Sequence, residues 1–108
     1  MENPFGIYDK TYNLIMKVLE ATTEVEAAFI FGSRAMGNHK KGSDVDIAVS
    51  GSKINPKVLL NLKSKLNEEL PIPYFVDVVH IENTQNEALK THIMKFGKKF
   101  YTKPVNST

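Results

Sequence analysis

Apolar and polar positions along this chain repeat with two periods. Over residues 7–21, Tyr8, Tyr12, Ile15 and Leu19, with Leu14 and Val18, recur at near-helical spacing and leave Lys10, Lys17 and Glu20 for solvent, which predicts an amphipathic helix. Residues 26–31 are a short apolar run rich in strand formers, stopped by Gly32 and Ser33, and read as a buried strand ending in a turn. Ser33 is expected to cap a short helix over residues 34–37, followed by an exposed loop from Asn38 to Gly42. From Ser43 to Ser50 the period changes to two. Asp44, Asp46 and Ala48 fall on one face and Val45, Ile47 and Val49 on the other, giving a strand with an acidic end.

The second half repeats the alternation of elements. Asn55 before Pro56 is a helix start, and Val58, Leu59, Leu62 and Leu66 form an apolar stripe that Pro71 and Pro73 end. Residues 74–81 read as a third strand whose only acid is Asp77. Thr84 is expected to cap a last helix over residues 85–96, with Leu89, Ile93 and Phe96 inward and Gly97 closing it. Phe100 and Tyr101 suggest a short edge strand. The order helix, strand, helix, strand, helix, strand, helix is an α/β pattern, a small sheet covered by helices, with one domain over residues 1–103 and a flexible tail over 104–108.

Composition narrows the class without naming a function. The 108 residues fit one hydrophobic core, and 42% hydrophobic with 24% charged residues is ordinary for a folded domain. The formal charge of +2 comes from interspersed basic and acidic residues, so no basic tract announces nucleic acid or an anionic membrane. With no cysteine there is no disulfide framework and no thiolate metal site. The N-terminus lacks the apolar stretch of a signal peptide and no run reaches transmembrane length, so a cytoplasmic location is expected.

The chemistry concentrates in the acids. Asp is disfavoured in strands, so three of them in two apolar strands call for a reason. Asp44 and Asp46, two apart in a strand, lie about 6.6 Å apart at Cα and point the same way, and an acid on a neighbouring strand, Asp77, would close a site for hard cations. Two-metal phosphoryl-transfer sites hold ions roughly 3.5–4 Å apart, and an all-carboxylate set suits magnesium or manganese better than zinc. The plain alternative is a solvated face of a half-buried strand. Asp77 weighs against it, because three carboxylates gathered without a cation repel one another. At the end of the first strand, Gly32 lets backbone approach a phosphate and Ser33 offers a hydroxyl, although a simple turn and cap explain the same pair. Arg34 is either a triphosphate partner or a solvated surface arginine. Gly32 and Gly37 bracket four residues as a P-loop does, but Asn38 and His39 stand where Lys and Ser or Thr are required.

Gly32-Ser33, ten residues, then Asp44-Val45-Asp46-Ile47, then a later strand acid at Asp77, resembles the DNA polymerase β nucleotidyltransferase superfamily. The stretches Phe31-Gly32-Ser33-Arg34-Ala35 and Gly42-Ser43-Asp44-Val45-Asp46-Ile47 are similar in particular to its minimal nucleotidyltransferases, the MNT-type antitoxins of HEPN/MNT pairs. The resemblance covers nearly the whole chain. It implies a small mixed sheet flanked by helices, and it implies that Asp44, Asp46 and Asp77 bind two magnesium ions, with manganese as an alternative. Asp77 is then the candidate general base, and Gly32, Ser33, Arg34 and Ser43 form the nucleotide-binding set. The implied reaction is in-line attack on the α-phosphate of a nucleoside triphosphate, transferring AMP from ATP to a hydroxyl acceptor, a tyrosine of a HEPN-domain partner.

Two other readings accompany it. A non-catalytic antitoxin would neutralise its partner by binding alone, and a nucleic-acid module would use Lys40, Lys41, Lys98 and Lys99 against the modest net charge. His39, His80 and His92 lack metal-ligand spacing and receive no role. A homodimer or hetero-oligomer is expected from the edge strand near Phe100.

Overall fold

The computed structural model describes residues 3–40 and 42–104. Lys41 and most of the expected tail, residues 105–108, lie outside the described residues. Helix α1 (Asp9–Ala21) leads into β1 (Ala27–Phe31), the short α2 (Ser33–Met36) and β2 (Val45–Ser50). Then come α3 (Pro56–Ser64), a π turn (Lys65–Glu69), β3 (Val76–His80), a 3-10 turn (Ile81–Asn83), α4 (Glu87–Phe96) and β4 (Lys98–Thr102). The strands form one mixed sheet in the order β3-β2-β1-β4, with β2 and β3 parallel and both partners of β1 antiparallel. This is the small sheet that the sequence pattern predicts.

The sheet is apolar on both faces. On one, Ile30, Val45, Ile47, Val49, Val76 and Val78 meet Ile15 and Leu19 of α1 and Leu62 of α3. On the other, a smaller cluster of Phe31, Ala48 and Ile93 gathers under α4 with Phe29, Val79 and Leu89 against it. The period-two alternation of β2 therefore separates two cores, with α4 on the face that bears the acids. Burying this many aliphatic side chains, each contributing roughly 1.5–3 kcal/mol, fixes strand register, because a slip of one residue would turn every valine outward.

Helix ends follow local chemistry where a side chain decides them. Asn55 Oδ1 accepts the Val58 N–H at 2.9 Å with Pro56 in the first turn, as expected. Two caps differ from expectation. Ser33 is the first residue of α2 and Gly32 precedes it as the capping position. The last helix is capped by Asn86, whose Oδ1 accepts Leu89 N–H at 3.1 Å, while Thr84 N–H closes the 3-10 turn on Ile81 O. Phe96, expected inward, is 39% exposed. The stripe of α3 ends in a π turn rather than running on as α-helix, and Asn67 supplies the reason. Its Nδ2 donates to Lys63 O and to Val76 O, and its Oδ1 accepts Val76 N–H, so one amide serves the edge of β3 as a short strand would.

The end of the β2–β3 pair away from the acids is clasped by three side chains. Ser50 Oγ donates to Glu82 at 2.5 Å, Gly51 N–H donates to the same carboxylate, and His80 Nε2 stands 3.0 Å from Gly51 O and 3.1 Å from Glu82. Burial pushes the Glu82 carboxyl up, but the hydrogen bonds from Ser50, its own backbone and Gly51, with nearby His80, outweigh it and hold the group below its ordinary value of 4.5. A depressed carboxyl contributes stability that is present above the unfolded value and lost as pH falls through the folded one. Ser50→Ala is therefore expected to lower the melting temperature slightly above about pH 5, with the difference from wild type shrinking below about pH 4 in thermal scans across pH.

Candidate active site

The acids meet at one end of the sheet because of strand register. Asp46 and Asp77 are Cα partners on the parallel strands β2 and β3, so their side chains leave the same face, with backbones roughly 4.8 Å apart. Phe31, the last residue of β1, pairs with Asp46, which places the following Gly32 beside that carboxylate. Gly32 takes φ 74° and ψ −153°, a region open to glycine, and a Cβ there would collide with Asp46 Oδ2. Asp44 is exposed and lies one residue before the first residue of β2, while Asp46 and Asp77 are half-buried.

Electrostatics ties the three together. Burial raises the Asp46 carboxyl above its ordinary value, and the charges of Asp77 and Asp44 raise it further; His92 and Arg34 act weakly in the opposite sense. Among the described residues no three Asp, Glu or His side chains are gathered closely enough to grip an ion as they stand. The donor set is nonetheless suited to a hard divalent ion: every donor is a carboxylate oxygen, two share a face in register, and Asp44 is exposed before the paired strand begins.

Around this centre the remaining expected residues divide. Ser33 opens α2 directly after Gly32 and is half-buried. Ser43 closes the loop before β2, its Oγ accepting Lys40 N–H at 2.9 Å and its carbonyl accepting from Arg34. Arg34 is not the solvated surface arginine of the plain alternative. It is 2% exposed, and its guanidinium donates to the carbonyls of Phe5, Gly6 and Ser43 and lies 4.6 Å over the Tyr74 ring. A guanidinium so occupied is a structural tie between the N-terminal segment and the loop before β2.

One residue that received no role belongs here. His92 of α4 accepts the Gly32 N–H on Nε2 at 3.0 Å and sets its ring against Phe31 at 6.0 Å and Phe96 at 5.3 Å. The signal was present: Leu89, His92, Ile93 and Phe96 stand at i, i+3, i+4 and i+7, so a polar ring interrupts the inward stripe. On the far side of Asp77, a groove of about 510 Å³ runs along β3 between Leu60, Lys63, Asn67 and Phe75. Its two large apolar walls are open to solvent, Leu60 at 66% and Phe75 at 57% exposure. Among the described residues no helix is long and apolar enough to cross a membrane.

The fold has counterparts among known proteins. The chain is similar over 83% of its length to 72% of a chain in a crystal structure of a toxin–antitoxin complex with AMP-PNP, at 26% identity and a TM-score of 0.69. It shares its fold with a chain of the Shewanella oneidensis complex between a tri-AMPylated HEPN toxin and its MNT antitoxin (23% identity, TM-score 0.65, 86% of this chain and 71% of that one). It does so too with a chain of a MntA-HepT toxin–antitoxin complex (23% identity, TM-score 0.66, 88% and 73%). No curated protein matches it. The family model described as "Polymerase beta, Nucleotidyltransferase" matches residues 13–105, nearly the whole chain, and with it the chain belongs to the polymerase β nucleotidyltransferase family.

Proposed function

We propose that this protein transfers AMP from ATP to a tyrosine hydroxyl of a HEPN-domain toxin and thereby acts as its antitoxin. The observation that carries the reading is the register that pairs Asp46 with Asp77 beside a glycine packed on the Asp46 carboxylate. The neighbours with AMP-PNP and with an AMPylated HEPN toxin support the choice of nucleotide and partner.

In this reading Asp44, Asp46 and Asp77 hold two magnesium ions, and Gly32 and Ser33 receive the phosphates, with the Ser43 turn shaping the loop between them. Magnesium supplies neutralisation of the negative charge that builds on the entering and leaving oxygens. The acceptor oxygen attacks the α-phosphorus as the bond to pyrophosphate breaks, and Asp77, on the outer strand of the site, takes the hydroxyl proton. Gly32 contributes close approach, because no Cβ separates its backbone from Asp46. The exposed Leu60 and Phe75 offer apolar contact to a protein acceptor at the Asp77 side.

Those same exposed side chains favour a second reading, neutralisation by binding alone. Incubation of the chain with labelled ATP, magnesium and a co-expressed HEPN partner separates the two. Transfer predicts a mass increase of one or more AMP units on a partner tyrosine, and the absence of any attached nucleotide across several triphosphates and metals excludes it. Binding alone predicts that Asp44→Asn with Asp46→Asn still neutralises the toxin.

A further inference from the structure

The Gly32 turn is held from three directions. Strand β1 delivers it, the Asp46 carboxylate fills the space where a Cβ would be, and α4 reaches it with His92 from sixty residues away. Because Gly32 N–H donates to His92 Nε2, that nitrogen carries a lone pair and the neutral ring keeps its proton on Nδ1. The ring itself is wedged between Phe31 and Phe96, with inter-ring angles of 75° and 47°, so its direction is set by packing. The plane of the Phe31–Gly32 peptide decides where Ser33 and the first N–H groups of α2 point. A glycine at φ 74° has few steric constraints of its own to hold that plane.

We propose that His92 is the positioning residue of the Gly32 turn: its Nε2 lone pair fixes the peptide plane from which Ser33 enters the site, and so sets the affinity for the triphosphate of the incoming nucleotide. The assignment of a triphosphate to this turn rests on the function proposed above; the assignment of His92 to the turn does not. The Asp46 carboxylate packs on the same glycine that His92 holds, so the histidine borders both the phosphate and the metal side of the site. Helix α4 thereby couples the smaller core to the nucleotide turn. Any shift of Ile93 in that core moves the acceptor that holds Gly32.

Two variants separate positioning from packing. His92→Phe keeps an aromatic ring between Phe31 and Phe96 and removes the acceptor, whereas His92→Gln restores an acceptor at a similar reach. Amide exchange of Gly32, followed by NMR, is expected to stay slow in wild type and His92→Gln and to accelerate in His92→Phe. Titration with magnesium and a non-hydrolysable ATP analogue is expected to show affinity about tenfold weaker in His92→Phe and within about twofold of wild type in His92→Gln, the size of one positioned hydrogen bond. In turnover, KM for ATP rises in His92→Phe with kcat little changed, and melting temperatures of the two variants stay close. Equal or tighter analogue binding by His92→Phe, or an unchanged Gly32 exchange rate, overturns the proposal. If wild type itself binds no analogue, the nucleotide reading fails, and the exchange measurement alone decides the role of His92.

Discussion

Asp46→Asn is expected to abolish nucleotide transfer while making the isolated fold more stable. Asp46 is central: it pairs with Asp77 in register, packs on Gly32, and is repelled by both Asp77 and Asp44. In the proposed mechanism its replacement removes a carboxylate that would hold the metal ions, and losing several kcal/mol of charge stabilisation slows transfer by a factor on the order of 10³ or more. Stability moves the other way. A carboxyl raised by burial and like charges contributes most when protonated, below its unfolded value, and that contribution is lost as pH rises through the folded value. At neutral pH the ionised side chain is therefore a cost, which the amide does not carry. Thermal denaturation without metal should give a higher midpoint for the variant near pH 7, with the gap narrowing in acid. Magnesium with nucleotide should then raise the wild-type midpoint and leave the variant nearly unmoved. A variant that transfers nucleotide at a wild-type rate would remove Asp46 from the site.

Arg34→Met carries the largest expected effect on the fold. Methionine retains the aliphatic length but none of the donors, so the buried carbonyl of Phe5 and the part-buried ones of Gly6 and Ser43 lose their shared partner beside Tyr74. Leaving a buried acceptor unsatisfied costs about 1–3 kcal/mol, so three together reach on the order of 3 kcal/mol or more even after partial relaxation. For a domain of this size that is a fall in melting temperature on the order of 15 °C. Arg34→Lys should recover little, since an ammonium cannot reach carbonyls on two segments as a planar fork does. The decisive comparison is between denaturant midpoints and triphosphate affinity. A surface phosphate ligand would change affinity and spare stability, and that result would contradict the buried arrangement.

The contrast between Asp46 and Arg34 marks what a single sequence makes legible. Period-two alternation in β2, an acid interrupting the apolar run of β3, and Asn55 before Pro56 are local patterns, and local patterns survive folding because each is enforced by its own backbone geometry. They were sufficient for the element order and for the expectation that Asp77 comes from a strand neighbouring that of Asp46, while the register that aligns the two is a finding of the fold. Arg34 was not legible in this way. Beside a glycine-serine turn it resembles an anion ligand, and only the approach of Phe5 and Gly6 turns it inward. The π turn depends similarly on Asn67 meeting Val76 of another element, and the choice of Asn86 over Thr84 depends on a 3-10 turn consuming the Thr84 N–H. His92 was half legible: its place on the inward stripe of α4 is periodic, but its partner at Gly32 is a product of tertiary structure.

The single parallel pairing in the sheet has a consequence for synthesis. Strands β1 and β2 are antiparallel neighbours joined by residues 32–44, which include α2, so Gly32, Asp44 and Asp46 come together as soon as that unit closes. Asp77 arrives only after the crossover through α3 has been made and packed, and contacts of that longer separation form later. A nascent polypeptide emerging from the ribosome thus carries two carboxylates and a glycine bend long before it carries the third acid. In the proposed mechanism a chain that ends before β3 lacks the third acid and stays chemically silent.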